Sequence, residues 1–404
     1  MNRTIAALPT LTMGMALIVL LALLTALDAM AIDMYLPGMP QIATELDVSA
    51  GRIQQTLSVF LIGLAIGQAL YGPLLDRFGR RLPLLLGVAI FALGSVAAAL
   101  APTVEWLLAA RFVQALGAAA GLVAPRAIVA DLCDVNESAR IFSLLMQIMM
   151  IAPILAPLIG GYLLGWGSWR LIFWVLAALG VAGWLWGLKI LPDSLPVQQR
   201  VPLRLGGIVR AYGRQLGDPV FLLYTLAGGF VLGSLFVYIS ASAFVFTGHF
   251  QLSAMRFSYL FAANSIALVL GGSISNLLLQ RGVLPAQAML LGILMHGAFG
   301  LLLYMVVQLS DVSLVTYGGL LAVAIGSLGL IFGNLTALTM NSAGRQLGVA
   351  SALMGCLHYL LSALVGYLVS LAVAGPATLP LALGVCAALA LILCLLAQRR
   401  QQVA

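Results

Sequence analysis

The chain has 404 residues, of which 63% are apolar and only 8% are charged. Because a soluble domain carries about a quarter charged residues, this composition excludes a soluble globular protein. The formal net charge of +7 comes from arginines and a single lysine that stand between apolar runs. It therefore indicates membrane topology and no nucleic-acid partner.

Twelve apolar segments follow one another, each long enough to cross a bilayer as an α-helix. Runs of this length favour helices over the short alternating strands of a barrel, so an all-α membrane protein is predicted. The segments are 14–37, 53–75, 82–101, 104–130, 141–166, 170–191, 219–246, 255–280, 284–307, 312–340, 346–373 and 377–397.

One long polar connection, residues 192–218, interrupts the pattern after the sixth segment. Pro192 and Pro196 stop the preceding helix, and Arg210 and Arg214 are spaced to share one face of a surface helix. We expect this basic helix to lie on anionic lipid head groups. The predicted parts are a six-helix bundle (1–191), a cytoplasmic linker (192–218) and a second six-helix bundle (219–404).

The distribution of positive charge predicts the orientation. With the N-terminus inside, fourteen lysines and arginines lie on the inner side, and only Arg52, Arg170 and Arg256 lie on the outer side. This positive-inside bias predicts a multi-pass protein of a bacterial inner membrane with both termini in the cytoplasm.

A dense charged stretch lies between the second and third segments. Residues 72–82 read Gly-Pro-Leu-Leu-Asp-Arg-Phe-Gly-Arg-Arg-Leu, which cannot lie in hydrocarbon and indicates a tight turn at the membrane surface. An ordinary positive-inside loop would explain the arginines, but not Asp76 or the two glycines. The stretch resembles the loop between helices 2 and 3 of the major facilitator superfamily. Gly271-Gly272 and Arg281-Gly282 form a weaker second copy.

Four further stretches resemble the bicyclomycin/chloramphenicol-resistance (Bcr/CflA) group within that superfamily. They are residues 31–40, 68–73, 111–117 and 152–161. The resemblance implies two pseudo-symmetric six-helix bundles in a monomeric, proton-coupled antiporter without a cofactor. It also implies export of small apolar or amphipathic drugs, such as chloramphenicol-like or bicyclomycin-like compounds.

An ionisable side chain inside a spanning helix is costly and suggests function, and three such residues are the candidates here: Asp28, Asp33 and Arg111. Asp33 and Arg111 match the family motif, and we expect them to face each other and couple transport to protons. The alternative is a static pair that joins two helices. Asp28 departs from the family pattern, so it is either a second proton or cation site or a partner of a neighbouring helix.

The resemblance assigns a conformational latch to the charged loop and its neighbours. It implies that Asp131 pairs with the arginines of the loop, and that Asp76 faces the positive N-terminal end of the eleventh helix. The alternative is a solvated ion pair that contributes little. The residues expected to form the latch are Gly72, Asp76, Arg77, Gly79, Arg80, Arg81, Asp131 and Arg140.

The fifth segment carries Pro153, Pro157, Gly160 and Gly161, which resemble the motif on the fifth helix of antiporters. Prolines bend the helix and glycines allow close approach, although a packing kink alone would look the same.

Aromatic, methionine and amide side chains on the expected cavity helices suit an adaptable apolar binding site. Lipid-facing or core positions are the alternative for any one of them. The candidates are Tyr35, Phe60, Gln114, Met146, Met150, Phe236, Tyr238, Phe261 and Asn264. Histidines and cysteines show no metal-ligand spacing, so no metal site is expected; His296 and His358 are predicted to be satisfied interior polar groups.

Two alternative functions remain open from the sequence. The chain could export a metabolite such as an amino acid or a sugar, although it lacks the dense polar groups of a sugar site. It could instead be a membrane-embedded enzyme or a receptor. An enzyme would require a buried nucleophile with its base or a metal cluster, and the sequence shows neither.

Overall fold

The computed structural model describes residues 14–200, 205–343, 347–372 and 375–403. Twelve of the described helices are long and apolar enough to cross a membrane, which confirms the predicted all-α membrane fold. The helices, numbered in chain order, are α1 (Met15–Asp33), α2 (Met39–Glu45), α3 (Ala50–Phe78), α4 (Arg81–Ala99), α5 (Val104–Leu132), α6 (Val135–Leu164), α7 (Arg170–Ile190), α8 (Leu205–Leu216), α9 (Pro219–Phe244), α10 (Ala254–Gln280), α11 (Pro285–Leu309), α12 (Leu314–Ser342), α13 (Leu347–Ser370) and α14 (Thr378–Val403).

The first span is broken, where the sequence predicted one continuous segment. α1 ends at Asp33, a 3-10 turn covers Leu36–Gly38, and α2 completes the span. Pro37 and Pro40 have no backbone N–H to donate to the preceding turn, so the α-helical pattern is interrupted here. The interruption is buried and places Asp33 at a helix end inside the protein.

The second span of each half is built in the same way, in α3 and in α10. Ser49 and Ser253 cap the two helices by accepting a hydrogen bond from the backbone N–H three residues later. Gly79 and Gly282 follow their C-terminal ends with φ of 86° and 88°. Shared start and stop signals at matching positions are what two parallel structural repeats produce.

Small residues bring the spans close together within each half. Gly63 and Gly67 of α3 face Ala115 and Ala119 of α5, where an added Cβ would be crowded. In the second half, Gly271 of α10 lies against the Gly326 carbonyl of α12. Such close backbone approach gives van der Waals contact where no hydrophobic driving force exists between helices in lipid.

The two halves meet along two helix pairs, α3 with α13 and α6 with α10. Because six spans precede α8 and six follow it, the start of α1, the end of α14 and α8 lie on one face, here called the terminal face. At the other face, Gln55 donates to Ser370 Oγ at 3.3 Å, and Gly161 faces the Ser258 hydroxyl. These contacts close the bundle at the face opposite the termini.

Candidate functional site

Asp33 lies at the C-terminal end of α1, where the broken span turns into the 3-10 turn. Its side chain is buried, and no described residue forms a hydrogen bond with its Oδ1 atom. It interacts electrostatically with Asp28 on its own helix and with Tyr238 of α9 in the other half. An unsatisfied buried carboxylate at this depth is costly and is characteristic of a functional position.

Arg111 of α5 is fully buried, but it does not form the ion pair with Asp33 that the sequence predicted. Its Nη1 donates to the Ala31 carbonyl at 2.9 Å and to Gln114 Oε1 at 2.6 Å. Its guanidinium lies 4.5 Å from the Tyr35 ring centroid and 4.1 Å from that of Phe60. Its Nε and Nη2 have no described hydrogen-bond partner, so the carbonyl, the amide and the ring faces satisfy only part of the buried guanidinium.

Sequence reasoning identified Asp28 but missed Arg126, a second arginine within the apolar run of α5. Asp28 is 4% exposed, and its Oδ1 has no described hydrogen-bond partner. Arg126, in α5, is exposed and interacts electrostatically with Asp28 without forming an ion pair with it. The sequence did contain a signal for Arg126, because an arginine inside an apolar run is a functional candidate in the same way as Arg111.

The predicted substrate-contact residues fall into separate groups. Tyr35, Phe60 and Gln114 surround Arg111 in the first half. In the second half, Tyr238 stacks on Phe261 with centroids 5.2 Å apart, and Asn264 donates to the Tyr238 hydroxyl at 3.0 Å. The second group interacts electrostatically with the Asp33 carboxylate through Tyr238, and in the first group Tyr35 follows Asp33 by two residues in the chain.

The remaining three predicted contacts lie elsewhere. Phe236 packs against Tyr359 of α13, with ring centroids 6.2 Å apart. Met146 and Met150 of α6 are 51% and 47% exposed, and no described aromatic contact joins them to the groups around Asp33. The structure thus gathers most, but not all, of the predicted set around the first span.

The charged loop, residues 72–82, consists of the end of α3, a turn at Gly79 and Arg80, and the start of α4, so the turn is shorter than the sequence predicted. Arg80 organises it. Its Nε donates to Asp131 at 2.8 Å and its Nη1 donates to Asp76 at 2.8 Å. Burial lowers the pKa of Arg80, but the hydrogen bonds and charges of the two acids outweigh burial and raise it. Arg81 donates to the Leu188 carbonyl at 2.7 Å.

Other residues of the predicted latch form fewer contacts than Arg80. Arg77 and Arg140 are exposed, and neither forms an ion pair with a described residue. Gly72 has open space at its missing Cβ. The start of the eleventh spanning helix borders residues 344–346, which lie outside the described ranges, so its expected contact with Asp76 stays a prediction.

Asp193 of the linker joins this cluster, which the sequence did not predict. One of its carboxylate oxygens accepts from the backbone N–H of Arg80 at 2.9 Å, and the other accepts from Arg200 Nη2 at 2.6 Å. The neighbouring Ser194 donates to Asp131 at 2.7 Å. The linker is therefore bound to the charged loop through specific hydrogen bonds.

The fifth spanning helix, α6, uses its prolines and glycines for contacts. Pro157 has no N–H, so the Pro153 carbonyl four residues earlier lacks its helical donor. The Ser265 hydroxyl of α10 lies 3.4 Å from that carbonyl across the interface, and it also lies 3.0 Å from the Phe261 carbonyl of its own helix, so the two carbonyls share one donor. Gly160 packs against the Met34 carbonyl at the break of the first span. The predicted motif thus touches both the other half and the Asp33 region.

The two interior histidines behave differently. His296 donates from Nδ1 to the Ala324 carbonyl and accepts at Nε2 from Ser234, each at 2.7 Å, as predicted for a satisfied polar group. His358 has no described partner at Nε2, so that prediction is wrong for it. Among the described residues no cluster of three metal-ligating side chains is found.

A cavity of about 390 Å³ lies at the face opposite the termini, between α3, α9, α13 and α14. It is lined mainly by apolar side chains together with Gln54 and His249, and the π-helical turn Val245–His249 forms part of its wall. None of the predicted substrate-contact residues lines it. It is therefore separate from the groups around Asp33.

Comparison with known proteins identifies the family. Residues 21–367 match the family model described as Major Facilitator Superfamily, and the chain belongs to that superfamily. This confirms the expectation of a transporter rather than an enzyme. The chain is 36% identical over 365 residues to the "Uncharacterized MFS-type transporter YdgK" of Bacillus subtilis, covering 90% of each chain.

Two relatives carry the names that the sequence motifs suggested. A "Bicyclomycin resistance protein homolog" of Haemophilus influenzae is 30% identical, covering 87% of this chain and 88% of the relative. A "Chloramphenicol resistance protein" of Pseudomonas aeruginosa is 34% identical, covering 69% and 68%. The predicted resemblance is therefore confirmed.

Solved structures show the same fold at low sequence identity. A bacterial homologue of the human lysosomal transporter Spinster aligns with a TM-score of 0.73 and 19% identity, covering 95% of this chain and 96% of that one. At this identity the likeness supports the fold and no more.

Proposed function

We propose that the protein exports small apolar or amphipathic drugs, of the chloramphenicol-like or bicyclomycin-like kind, in exchange for protons. The observation that carries the proposal is the buried Asp33 carboxylate, whose Oδ1 has no described hydrogen-bond partner and which interacts electrostatically with Tyr238 of the other half. The printed names of two relatives support drugs as the cargo.

Asp33 would be the group through which drug and proton compete. A drug seated between the Tyr35–Phe60 and Tyr238–Phe261 groups would cover the carboxylate and favour loss of its proton. Because the coupling is reciprocal, a proton arriving at Asp33 weakens drug binding in return. Arg111 would hold the first group in place through Ala31 and Gln114, and it would supply positive charge to the region.

Alternating access would come from rocking of the two six-helix bundles, residues 1–191 and 219–404, about the interface. Release at the face opposite the termini requires the contacts of Gln55 with Ser370 and of Gly161 with Ser258 to separate. The prolines of α6 would provide a bend in α6–α10, one of the two helix pairs that join the halves. The loop containing Arg80, Asp76 and Asp131 would act as the latch that stabilises one state of this cycle.

The protein would work as a monomer in a bacterial inner membrane, with both termini and the linker in the cytoplasm. Arg210 and Arg214 are exposed on α8, whereas Tyr212 packs against Phe221 and Leu353. Burial raises the pKa of Tyr212. This amphipathic arrangement supports an interfacial helix with its arginines on anionic head groups.

The coupling is tested by proton release from purified protein in weakly buffered detergent solution containing a pH indicator. We expect addition of chloramphenicol to release protons from the wild type and few or none from Asp33→Asn, because an amide cannot give up a proton. Binding of chloramphenicol is measured in parallel, so that a loss of binding is distinguished from a loss of coupling.

Asp311→Asn is the matched control, because Asp311 lies in an exposed loop at the opposite face. It should release as many protons as the wild type. If Asp33→Asn binds chloramphenicol and still releases the wild-type number of protons, Asp33 is not the coupling residue. If the wild type neither binds nor transports any compound of this class, the proposed cargo is wrong.

A further inference from the structure

The cavity at the face opposite the termini is not used by the coupling proposed for Asp33. Its volume of about 390 Å³ falls within the range of small-molecule binding sites, roughly 300–1,000 Å³. Both halves contribute to its wall, the first through Ala50 and Gln54 of α3 and the second through residues such as Phe244 of α9 and Val369 of α13. The cavity therefore lies between the two repeats.

Gln54 is a buried polar side chain without a partner at this cavity. The residue is 6% exposed, it lines the cavity, and no described residue forms a hydrogen bond with its amide. A primary amide has two N–H donors and a carbonyl acceptor, and burying such a group without partners is unfavourable. A molecule that offers hydrogen-bonding groups to Gln54 would therefore bind favourably.

Another wall of the cavity is the π-helical turn Val245–His249 at the end of α9. Single π-helical turns of this kind occur frequently at functional sites. Gly248 within the turn has open space where a Cβ would be, and His249 is exposed. Elsewhere in the wall, the Tyr317 hydroxyl donates to the carbonyl of the lining residue Pro376 at 2.9 Å. The wall is thus held by specific contacts and leaves room inside.

The charge of the lining residues selects the kind of molecule that fits. Among the described residues that line the cavity there is no Asp, Glu, Lys or Arg, and the polar side chains are those of Gln54, His249 and Thr378. An ionised molecule would lose its hydration here without gaining an opposite charge, which is strongly unfavourable. An uncharged molecule with an apolar body and a hydrogen-bonding group does not incur this penalty.

The cavity lies beside a contact that closes the opposite face. Gln54 precedes Gln55, which donates to Ser370 Oγ, and the lining residue Val369 precedes Ser370. Gly51 of α3 approaches the Ser370 carbonyl so closely that an added Cβ would overlap it. The two halves are therefore in direct contact next to the cavity, and a molecule that touches both walls would oppose their separation.

We propose that this cavity binds an uncharged amphipathic molecule, with an amide or a hydroxyl on an apolar body, and that its binding holds the opposite face closed. The amide or hydroxyl bonds with Gln54, and the apolar body lies against Phe244 and Val369. A ligand shifts an equilibrium toward the state that it binds more tightly, and opening this face separates the walls of the cavity. The inference rests on the proposed transport cycle, in which an exported compound of this class would slow its own release.

Gly248→Phe is the variant that identifies binding in the cavity. The new side chain begins in open space and fills the cavity, so the fold should be retained while the site is blocked. Gly319→Phe is the matched control, because Gly319 of α12 is exposed, has open space at its missing Cβ and does not line the cavity. Thermal unfolding midpoints of both variants verify that they fold.

The probe is N-phenethylacetamide, a neutral aromatic amide, and its binding to the full-length protein in lipid nanodiscs is measured by equilibrium dialysis. We expect the wild type and Gly319→Phe to bind one molecule that Gly248→Phe does not bind. Gln54→Leu, which keeps the volume and removes the amide, should lower the affinity about two- to tenfold, the contribution of one neutral hydrogen bond. The cation phenethylamine and the anion 3-phenylpropanoate should bind equally to the wild type and to Gly248→Phe.

Two outcomes would overturn the binding site. If Gly248→Phe binds the amide as the wild type does, the cavity does not take this class of molecule. If Gly248→Phe loses the amide but Gln54→Leu binds it with wild-type affinity, the cavity is a purely apolar site for lipid chains, and the assignment of Gln54 is wrong.

Closure is measured by the rate at which an impermeant maleimide labels Ser258→Cys in a background with the four cysteines replaced by serine. Ser258 is buried beside Gly161 at the closed face, so labelling requires this face to open. With the amide at ten times its Kd, labelling should slow about tenfold, but not when Gly248→Phe is also present. An unchanged or faster rate would contradict the proposal.

Failure of this inference is distinguishable from failure of the proposed function, because the amide reports on the cavity and chloramphenicol-driven proton release reports on Asp33. If the amide does not bind in the cavity while chloramphenicol still releases protons through Asp33, only the cavity site is wrong. If the amide binds and slows labelling while chloramphenicol is neither bound nor exchanged, the cavity site stands and the proposed cargo is wrong.

Discussion

Gly79 shows how one residue connects the charged loop to the linker. Its backbone has φ of 86° and ψ of 175°, a combination that residues with a side chain rarely adopt. An added Cβ would also collide with the Asp193 carboxylate and approach Arg200. The position therefore requires glycine for two independent reasons, one conformational and one steric.

We predict that Gly79→Ala destabilises the protein by more than the backbone cost alone, which is about 1–3 kcal/mol. The extra loss comes from displacement of Asp193, which accepts the hydrogen bond of the Arg80 backbone N–H. The measurement is the midpoint of thermal unfolding of the purified protein, followed by tryptophan fluorescence and by size-exclusion chromatography.

Gly282→Ala separates the two contributions. Gly282 has a φ of 88° at the equivalent turn, but nothing lies within 4 Å of the position of an added Cβ. Gly282→Ala should therefore lower the free energy of unfolding by only about 1–2 kcal/mol, which is the cost of placing an alanine in a left-handed backbone conformation. If Gly79→Ala and Gly282→Ala lower the midpoint equally, docking of the linker on Gly79 contributes nothing to stability.

At the scale of elements, α6 supports the break in the first span. Gly160 lies against the Met34 carbonyl so closely that an added Cβ would overlap it. Asp33 immediately precedes Met34, so a shift of α6 would move the end of α1. The packing of one helix thereby fixes the position of a carboxylate on another.

Gly160→Ala should therefore destabilise the protein by about 1–3 kcal/mol through overpacking and should also reduce drug transport. Gly333→Ala is the control, because Gly333 lies inside α12 with open space at its missing Cβ. Alanine is the better helix former, so the control should be neutral or slightly stabilising. Thermal midpoints and drug efflux from cells provide the measurements, and equal behaviour of the two variants would contradict the packing argument.

At the scale of the whole molecule, two repeats are joined by a linker that is bound to the first of them. Asp193 and Ser194 attach the linker to the charged loop, and Tyr212 of α8 packs against the second half. The linker thus contacts both halves on the terminal face. In the proposed transport cycle, a change at the loop would have a path to the second half through these contacts.

The topology gives a prediction at this scale. In a background with the four cysteines replaced by serine, Val197→Cys and Ser310→Cys should be labelled from opposite sides of the membrane by an impermeant maleimide. The positive-inside bias predicts that Val197 is cytoplasmic and that Ser310 is outside. Labelling of both positions from the same side would contradict the twelve-span arrangement.

The sequence alone determined the number, order and type of the spanning helices, because the thickness of the bilayer fixes the length of an apolar run that can cross it. It also identified Asp28, Asp33 and Arg111, since a charge at membrane depth is rare enough to be recognised in a single chain. The positions of the turn glycines and of the prolines on the fifth span were likewise readable, because their backbone effects are local.

The tertiary structure alone decided which partners these residues have. Arg111 bonds to Ala31 and Gln114 instead of Asp33, and Asp193 binds the turn at Arg80 from 113 positions further along the chain. Such pairings depend on the rotation and tilt of each helix, and those are set by packing against neighbours that hydropathy does not specify. A run of apolar residues predicts that a helix spans the membrane, but the direction in which each of its side chains points is decided by the helices around it.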